Sequence, residues 1–412
     1  MPAVKSVLAV VALVTIAAAA FVLDIALLRG MTSLQMNDFG KFYYSARAFL
    51  DGGNMYATSP ATDLKFAEAP GLQFLNMNPP HFHLIVLPLA LLSPQPALTI
   101  WVGASLLALV LSILLIVREV GLAWTPNRVL AAATGTLLFT ATQSFFATGQ
   151  LSLLLLLALT ICWVEARHDR WTTAAAVLGA CLSVKPFLLI FAPYLLLTRR
   201  FRAAVVMLAT AAALVAIGVL VFGFTQYEAW YRALRQSGDW SWAVMNASML
   251  GLFRRAFDTQ PIGTPLVVAP SLVNGWIVAA ALVGTVTLVV TIRDREPHAI
   301  DRSFALLLVA AQLISPLGWI YYLWLPAGPI AALATPHVAS GFRRTSATAG
   351  SPKGRRHVLK RVLALVAMIG FVYPMPFLLA FRNHAWATLT IASIYFWATL
   401  ALWLLLLDDG RR

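Results

Sequence analysis

Few residues of this chain combine a reactive type with a telling position, and Asp38 comes first. It opens DFGKFYYSARAFLDGGNMY, in which Phe39, Phe42, Tyr43, Ala46 and Leu50 recur at helical spacing and Gly52 and Gly53 end the run. A carboxylate at a helix start has two uses. It caps free amides and meets the positive end of the helix dipole, or it serves as a general base. Lys185 is the second candidate, because an ionisable residue within an apolar run is costly unless it faces a partner or a wet cavity. Two readings stand for it: a phosphate partner, or pairing with a buried acid or with carbonyls freed at the Lys185-Pro186 break. Gln150, following Gly149, either binds a sugar hydroxyl or satisfies a helix end. In NMNPPHFH the two-residue spacing of His81 and His83 puts them on different sides of a helix, which favours polar interfacial roles over a shared metal.

Two stretches must carry these groups to one place. The first is Arg29 to Pro80, with Asp38, Lys41, Arg47, Asp51, Asp63, Lys65 and Glu68. The second is Thr225 to Leu272, with Tyr227, Trp230, Tyr231, Trp240 and Trp242 followed by NASMLGLFRR. The aromatic residues there read either as an interfacial belt or as sugar-stacking platforms. SPLGWIYY, Ser315 to Tyr322, adds a polar and aromatic break between apolar runs.

The rest of the chain is a membrane scaffold. Of 412 residues 60% are hydrophobic and 11% charged, and the mean hydropathy is +0.80, which excludes a soluble globular protein. The fold class is therefore all-α, a polytopic helical membrane protein. Candidate spans are 4–28, 97–117, 128–147, 150–165, 203–224, 273–292, 302–315, 319–335, 361–381 and 385–407, or about 10–12 transmembrane helices with two long extracytoplasmic loops. Residues 81–92 are too few to cross and read as a re-entrant or juxtamembrane helix, and Pro186 splits 173–198 into two half-helices. The first run, although it carries Lys5 at its start and is rich in alanine, is long enough to be a retained helix rather than a signal peptide.

The formal charge of +14 sits mostly in short loops beside apolar runs, as the positive-inside rule requires, so no nucleic acid partner follows from it. With the N-terminus inside, the inner segments hold 20 of the 30 lysines and arginines. Gly341 to Arg361, with Arg343, Arg344, Lys353, Arg355, Arg356, Lys360 and Arg361, reads as a flexible cytoplasmic loop against anionic membrane lipids. Cys162 and Cys181 lie in apolar runs as small core residues, and no nucleotide-binding loop is present. The organisation is an N-terminal transmembrane module, 1–224, with a catalytic first outer loop at 29–80, a second outer loop at 225–272, and C-terminal helices at 273–412.

The ordered motifs resemble glycosyltransferase family 87, polyprenyl-phosphate-mannose-dependent α-mannosyltransferases with the membrane-embedded GT-C fold. They are Asp38 with Tyr43, Gly52, Gly53 and Tyr56; Pro79-Pro80; Gly149-Gln150; Lys185-Pro186; Asn246 and Ser248; and Ser315, Pro316 and Trp319. Similar enzymes often carry a histidine just after that tryptophan, where Tyr321 and Tyr322 stand here. The resemblance implies a hexosyltransferase that moves a sugar, mannose first, from a polyprenyl-phosphate donor to a lipid or glycan acceptor at the outer face of a bacterial cytoplasmic membrane, with inversion. It implies Asp38 as base and Lys185, Arg254 and Arg255 around the donor phosphate. Tyr43, Arg47, Asn78, His81, Gln150, Asn246, Ser248, Trp319, Tyr321 and Tyr322 follow as substrate-binding candidates. No metal ligands are assigned, and a divalent cation stays open as a cofactor. Arabinofuranosyl transfer is the nearest alternative chemistry. A transporter or lipid flippase is the other class, but it calls for internal repeats, which the unequal halves lack.

Overall fold

The computed structural model describes residues 2–31, 38–57, 75–236, 238–261, 263–296, 298–339, 352–374 and 377–408. Asp63, Lys65, Glu68, Arg343 and Arg344 lie outside them. Helix α1 (Pro2–Met31) leads to α2 (Asp38–Leu50), which buries Phe39, Phe42, Tyr43 and Ala46 on the face that the spacing predicted. Residues 80–90 form a 3-10 turn (Pro80–Ile85) and one turn of helix, α3 (Leu87–Ala90), too short to cross a bilayer. Next come α4 (Pro94–Val120), α5 (Pro126–Leu138), α6 (Thr140–Thr148), α7 (Ser152–Arg167) and α8 (Trp171–Val184). At Lys185 the backbone leaves helical geometry, and a 3-10 turn (Pro186–Ile190) leads into α9 (Phe191–Leu197). The proline removes the donor that would continue α8, so the break falls where the sequence put it.

The second half holds α10 (Phe201–Phe222), amphipathic α11 (Phe224–Gln236), α12 (Met249–Phe257), α13 (Gly275–Arg293), α14 (Ala299–Ile314), α15 (Ala327–Ala339), α16 (Pro352–Val372), α17 (Ala385–Leu389) and α18 (Ile394–Asp408). One hydrophobic core runs from Phe39 to Leu406. Its axis is α14, buried without interruption from Asp301 to Leu313 and packed against α13, α15 and α18.

Three features depart from expectation. By length and composition, five helices among the described residues are apolar and long enough to cross a membrane, or six if the bent α5–α6 pair is one span, while the other candidate runs form shorter or interrupted helices. The reason is length: α7 and α14 have 16 residues each, about 24 Å at 1.5 Å per residue, and 319–335 is interrupted by a 3-10 turn (Ile320–Trp324) before α15. Residues 128–147 do not form one straight span. α5 and α6 meet at 54°, where Phe139 takes extended backbone and sets its ring edge-on to Trp324 and Phe371. Finally, the basic stretch expected to be loop as far as Arg361 is already helical from Pro352, because a proline at the first helical position costs no hydrogen bond.

Candidate active site

A cavity of about 1020 Å³ opens where α2, the residue 76–79 segment, the α8 break, α11, α13 and the Ser315–Tyr322 segment meet. Its polar groups gather at one end, beside Asp38. The carboxylate is buried in the first turn of α2, paired by one oxygen with Lys41 one turn on, while the other accepts a 2.8 Å hydrogen bond from Gln150 Nε2. Burial pushes the Lys41 ammonium below its usual range, against the opposing pull of Asp38. Of the two uses open to Asp38, its side chain is turned across the cavity to a partner 112 residues away.

Gln150 is held by its glycine. Gly149 adopts φ +67°, which closes α6 in the left-handed conformation, and its carbonyl accepts the Trp101 indole N–H at 2.7 Å. The Gln150 carbonyl oxygen then accepts the Leu151 amide at 2.9 Å. Its amide spends both protons, on Asp38 and, at 3.1 Å, on the Tyr321 hydroxyl. One end of the Gln150 amide thus satisfies the start of α7, and the other points at the Asp38 carboxylate and the Tyr321 hydroxyl.

Lys185 is the second cation of the cavity, beside Lys41. Its Nζ donates to Asn78 Oδ1 at 2.8 Å and lies 5.6 Å from the Tyr322 ring centre, with no carboxylate in ion-pair reach among the described residues. Asn78 is fixed first. Its backbone carbonyl accepts the Tyr56 hydroxyl at 2.6 Å, and its amides donate to Asn76 Oδ1. Trp319 and Tyr321 stack with ring centres 6.2 Å apart and an interplanar angle of 25°, and both line the cavity with Tyr322.

Beyond this end the walls are apolar. Trp276, Ile277, Ala280, Ala281, Gly284 and Leu288 are one stripe of α13, facing Phe187, Leu189 and Ile190 from the broken α8–α9 run. Trp230 closes the α11 side and anchors there through its indole N–H to the Met77 carbonyl at 3.0 Å.

Seven of the expected site residues therefore share the cavity: Asp38, Asn78, Gln150, Lys185, Trp319, Tyr321 and Tyr322. The others lie elsewhere. Arg255 is buried and outside the cavity lining; its Nε donates to Ser393 and its Nη1 to the carbonyls of Trp242, Ala243 and Asn246, which ties α12 to the C-terminal helices. Arg254 pairs with Asp258. Asn246 and Ser248 hold the site from behind. Asn246 donates to the carbonyls of Ser241 and Pro316 and accepts from Ser248 and Gly318, Ser248 caps α12, and Asn246 bridges to Trp319. Gly318 lets the same loop lie close on the end of α14, since a Cβ there would fall 2.2 Å from the Gln312 carbonyl oxygen.

Tyr43 donates to the Leu92 carbonyl, and Arg47 pairs with Asp51. His81 lies against Tyr227 and the Ser183 carbonyl, and His83 against Asn76, so the two histidines face different partners, as their spacing requires. Among the described residues no three His, Cys, Asp or Glu side chains cluster as metal ligands. The residues that sequence reasoning passed over are Lys41, Trp276 and the α13 stripe. The Asp38/Lys41 spacing of three was the available signal for the first.

A family model, glycosyltransferase family 87, matches residues 76–316, more than half of the chain. Neither the curated proteins nor the solved structures hold a significant match to it.

Proposed function

Since the chain belongs to glycosyltransferase family 87 and is a multi-pass membrane glycosyltransferase with a sugar donor and an acceptor, we propose that it transfers a hexose, mannose first, from polyprenyl phosphate with inversion at the anomeric carbon. One observation carries this reading: a carboxylate, and a cation with no carboxylate in ion-pair reach among the described residues, stand at the polar end of a cavity whose remaining length is mostly apolar. A polyprenyl-phosphate sugar has that same division of polar head and long hydrocarbon tail. From Trp276 to Leu288 the α13 stripe runs about 18 Å, room for several isoprene units.

In this reading the acceptor hydroxyl attacks the anomeric carbon from the face opposite the phosphate, and Asp38 takes its proton. The bond from that carbon to the phosphate oxygen breaks, and its electron pair stays on the phosphate. Lys185 and the Asn78 amide meet the growing negative charge. A phosphate leaves without protonation, so one carboxylate suffices where a glycosidase uses two. Gln150 orients Asp38, and the Trp319, Tyr321 and Tyr322 rings form the sugar platform. Segment 1–224 supplies the reactive groups, 225–272 closes the side through Trp230, and 273–412 supplies the tail wall and platform. Charge asymmetry across the spans supports placing the polar end at the outer face of a bacterial cytoplasmic membrane.

The test is transfer of radiolabelled mannose from polyprenyl-phosphate-mannose into membrane glycolipid, wild type against Asp38→Asn at matched protein levels. Transfer lost only in the variant supports the reading. Equal transfer by both removes Asp38 as base, and wild-type transfer from an arabinose donor alone replaces the sugar.

A further inference from the structure

A second cavity, of about 590 Å³, lies at the other end of α13, between that helix, the start of α14 and the end of α18. Val286, Val289, Val290 and Leu407 make an apolar wall, and Arg293, Arg295 and Arg302 gather at one end with Asp294 and Glu296. The charges do not cancel, because three guanidinium groups meet two carboxylates. Asp294 is already engaged by Arg302 and by the Glu296 backbone amide. Arg302 is the unusual member. Its side chain is 8% exposed, and its Nε is buried without a hydrogen-bond partner among the described residues. A buried guanidinium N–H without an acceptor is costly, and a cavity beside it gives an acceptor somewhere to sit. Arg293 and Arg295 stand exposed at the mouth.

We propose that this cavity binds the phosphate headgroup of an anionic membrane lipid, with the phosphate on Arg302 and the two rim arginines and an acyl chain along Val286, Val289 and Val290. Guanidinium is the side chain best matched to a phosphate, through two parallel N–H bonds. The adjoining valine wall has no use for a free anion, whereas a lipid presents phosphate and hydrocarbon together. Thr285 borders both cavities, so α13 is a shared partition. A lipid seated on one side braces the helix that walls the catalytic cavity on the other.

The experiment uses the full chain, delipidated in neutral detergent. Binding is read by native mass spectrometry and by thermal unfolding against phosphatidylglycerol, phosphatidylcholine of the same acyl chains, and inorganic phosphate. Phosphatidylglycerol is expected to bind and to raise the unfolding temperature above the other two. Arg293→Gln with Arg295→Gln should weaken its binding roughly tenfold, the value of one lost charge-assisted contact, while Arg232→Gln on exposed α11 should leave it unchanged. Arg302→Lys, which keeps the charge opposite Asp294 but loses the planar fork, should also weaken it. Equal response to phosphatidylcholine, or an unchanged phosphatidylglycerol affinity in the rim variant, overturns the proposal. So does stabilisation by inorganic phosphate alone, which would make the site a free-anion site. Since the rim arginines are exposed, their variant decides the matter even if Arg302 variants fail to fold.

Discussion

Replacing Lys185 with methionine separates the two uses of a cation in an apolar setting. The side chain keeps its length and stem and loses one charge. Its present partner is neutral, the Asn78 carbonyl oxygen at 2.8 Å, and the Tyr322 ring centre is 5.6 Å away. Losing that hydrogen bond costs about 1–3 kcal/mol, and relieving the desolvation of a half-buried charge offsets much of it, so folding stability should change by no more than about 1 kcal/mol. The transition state differs. On the proposed mechanism charge grows on the phosphate oxygen as the bond to the sugar breaks, and removing one preorganised donor from such a position costs about 3–4 kcal/mol, or roughly 10²–10³ in rate. Initial rates of mannose transfer from polyprenyl-phosphate-mannose in nanodiscs, with thermal unfolding on the same samples, give both numbers. Lys185→Arg should recover part of the rate, because it keeps the charge in a different geometry. A Met variant that unfolds far more readily yet turns over normally per folded molecule would refute the argument and make Lys185 a structural pin.

Asp38→Asn should abolish transfer and also destabilise the protein by about 3–5 kcal/mol, since Lys41 is left buried beside a neutral amide; adding Lys41→Met should restore the unfolding temperature without restoring transfer. Gly149→Ala should cost about 1–2 kcal/mol through its φ of +67°, and should lower the transfer rate by moving Gln150 off Asp38. His83 lies in the short 80–85 turn outside the spans, where burial pushes its pKa down to about 4 and Asn76 Nδ2 approaches Nε2 at 2.7 Å. The unfolded chain takes up this proton below about pH 6.5 and the folded chain does not until about pH 4. The contribution is therefore whole above pH 6.5 and falls with pH through that window, by about 2 kcal/mol at pH 5. His83→Gln should flatten this part of the pH dependence in thermal unfolding. A pH profile unchanged from wild type would show that His83 is not the group.

How much of this was legible beforehand follows from the range of each interaction. Local rules found α2 and the break at Lys185, because helical spacing and a proline act within a few residues, whereas the left-handed turn at Gly149 came only with the structure. Composition gave the membrane class, but several of the candidate spans fold as shorter helices, and an apolar run of 16 residues looks the same in sequence whether it faces lipid or, like α14, is surrounded by protein. In the site, the groups facing the cavity were recoverable when an ionisable or amide side chain stood out against its apolar neighbours, as Asp38, Gln150 and Lys185 do. Two arginines expected there lie outside the cavity lining for a related reason. Arg254 and Arg255 have the type that binds phosphate, and nothing nearby in sequence reveals that Arg255 turns its Nε and Nη1 to Ser393 and three carbonyls at the base of α12. Asn246 and Ser248 carry a further lesson. They serve the site without entering it, because the hydrogen bonds of Asn246 to Pro316 and Gly318 hold the loop that presents Trp319 and Tyr321, so a motif position can matter for the reaction while its side chain points away from the substrate. That division gives Asn246→Ala a distinct expectation from Lys185→Met. Loss of the Asn246 amide should lower stability and turnover together, whereas loss of the Lys185 charge should lower turnover alone.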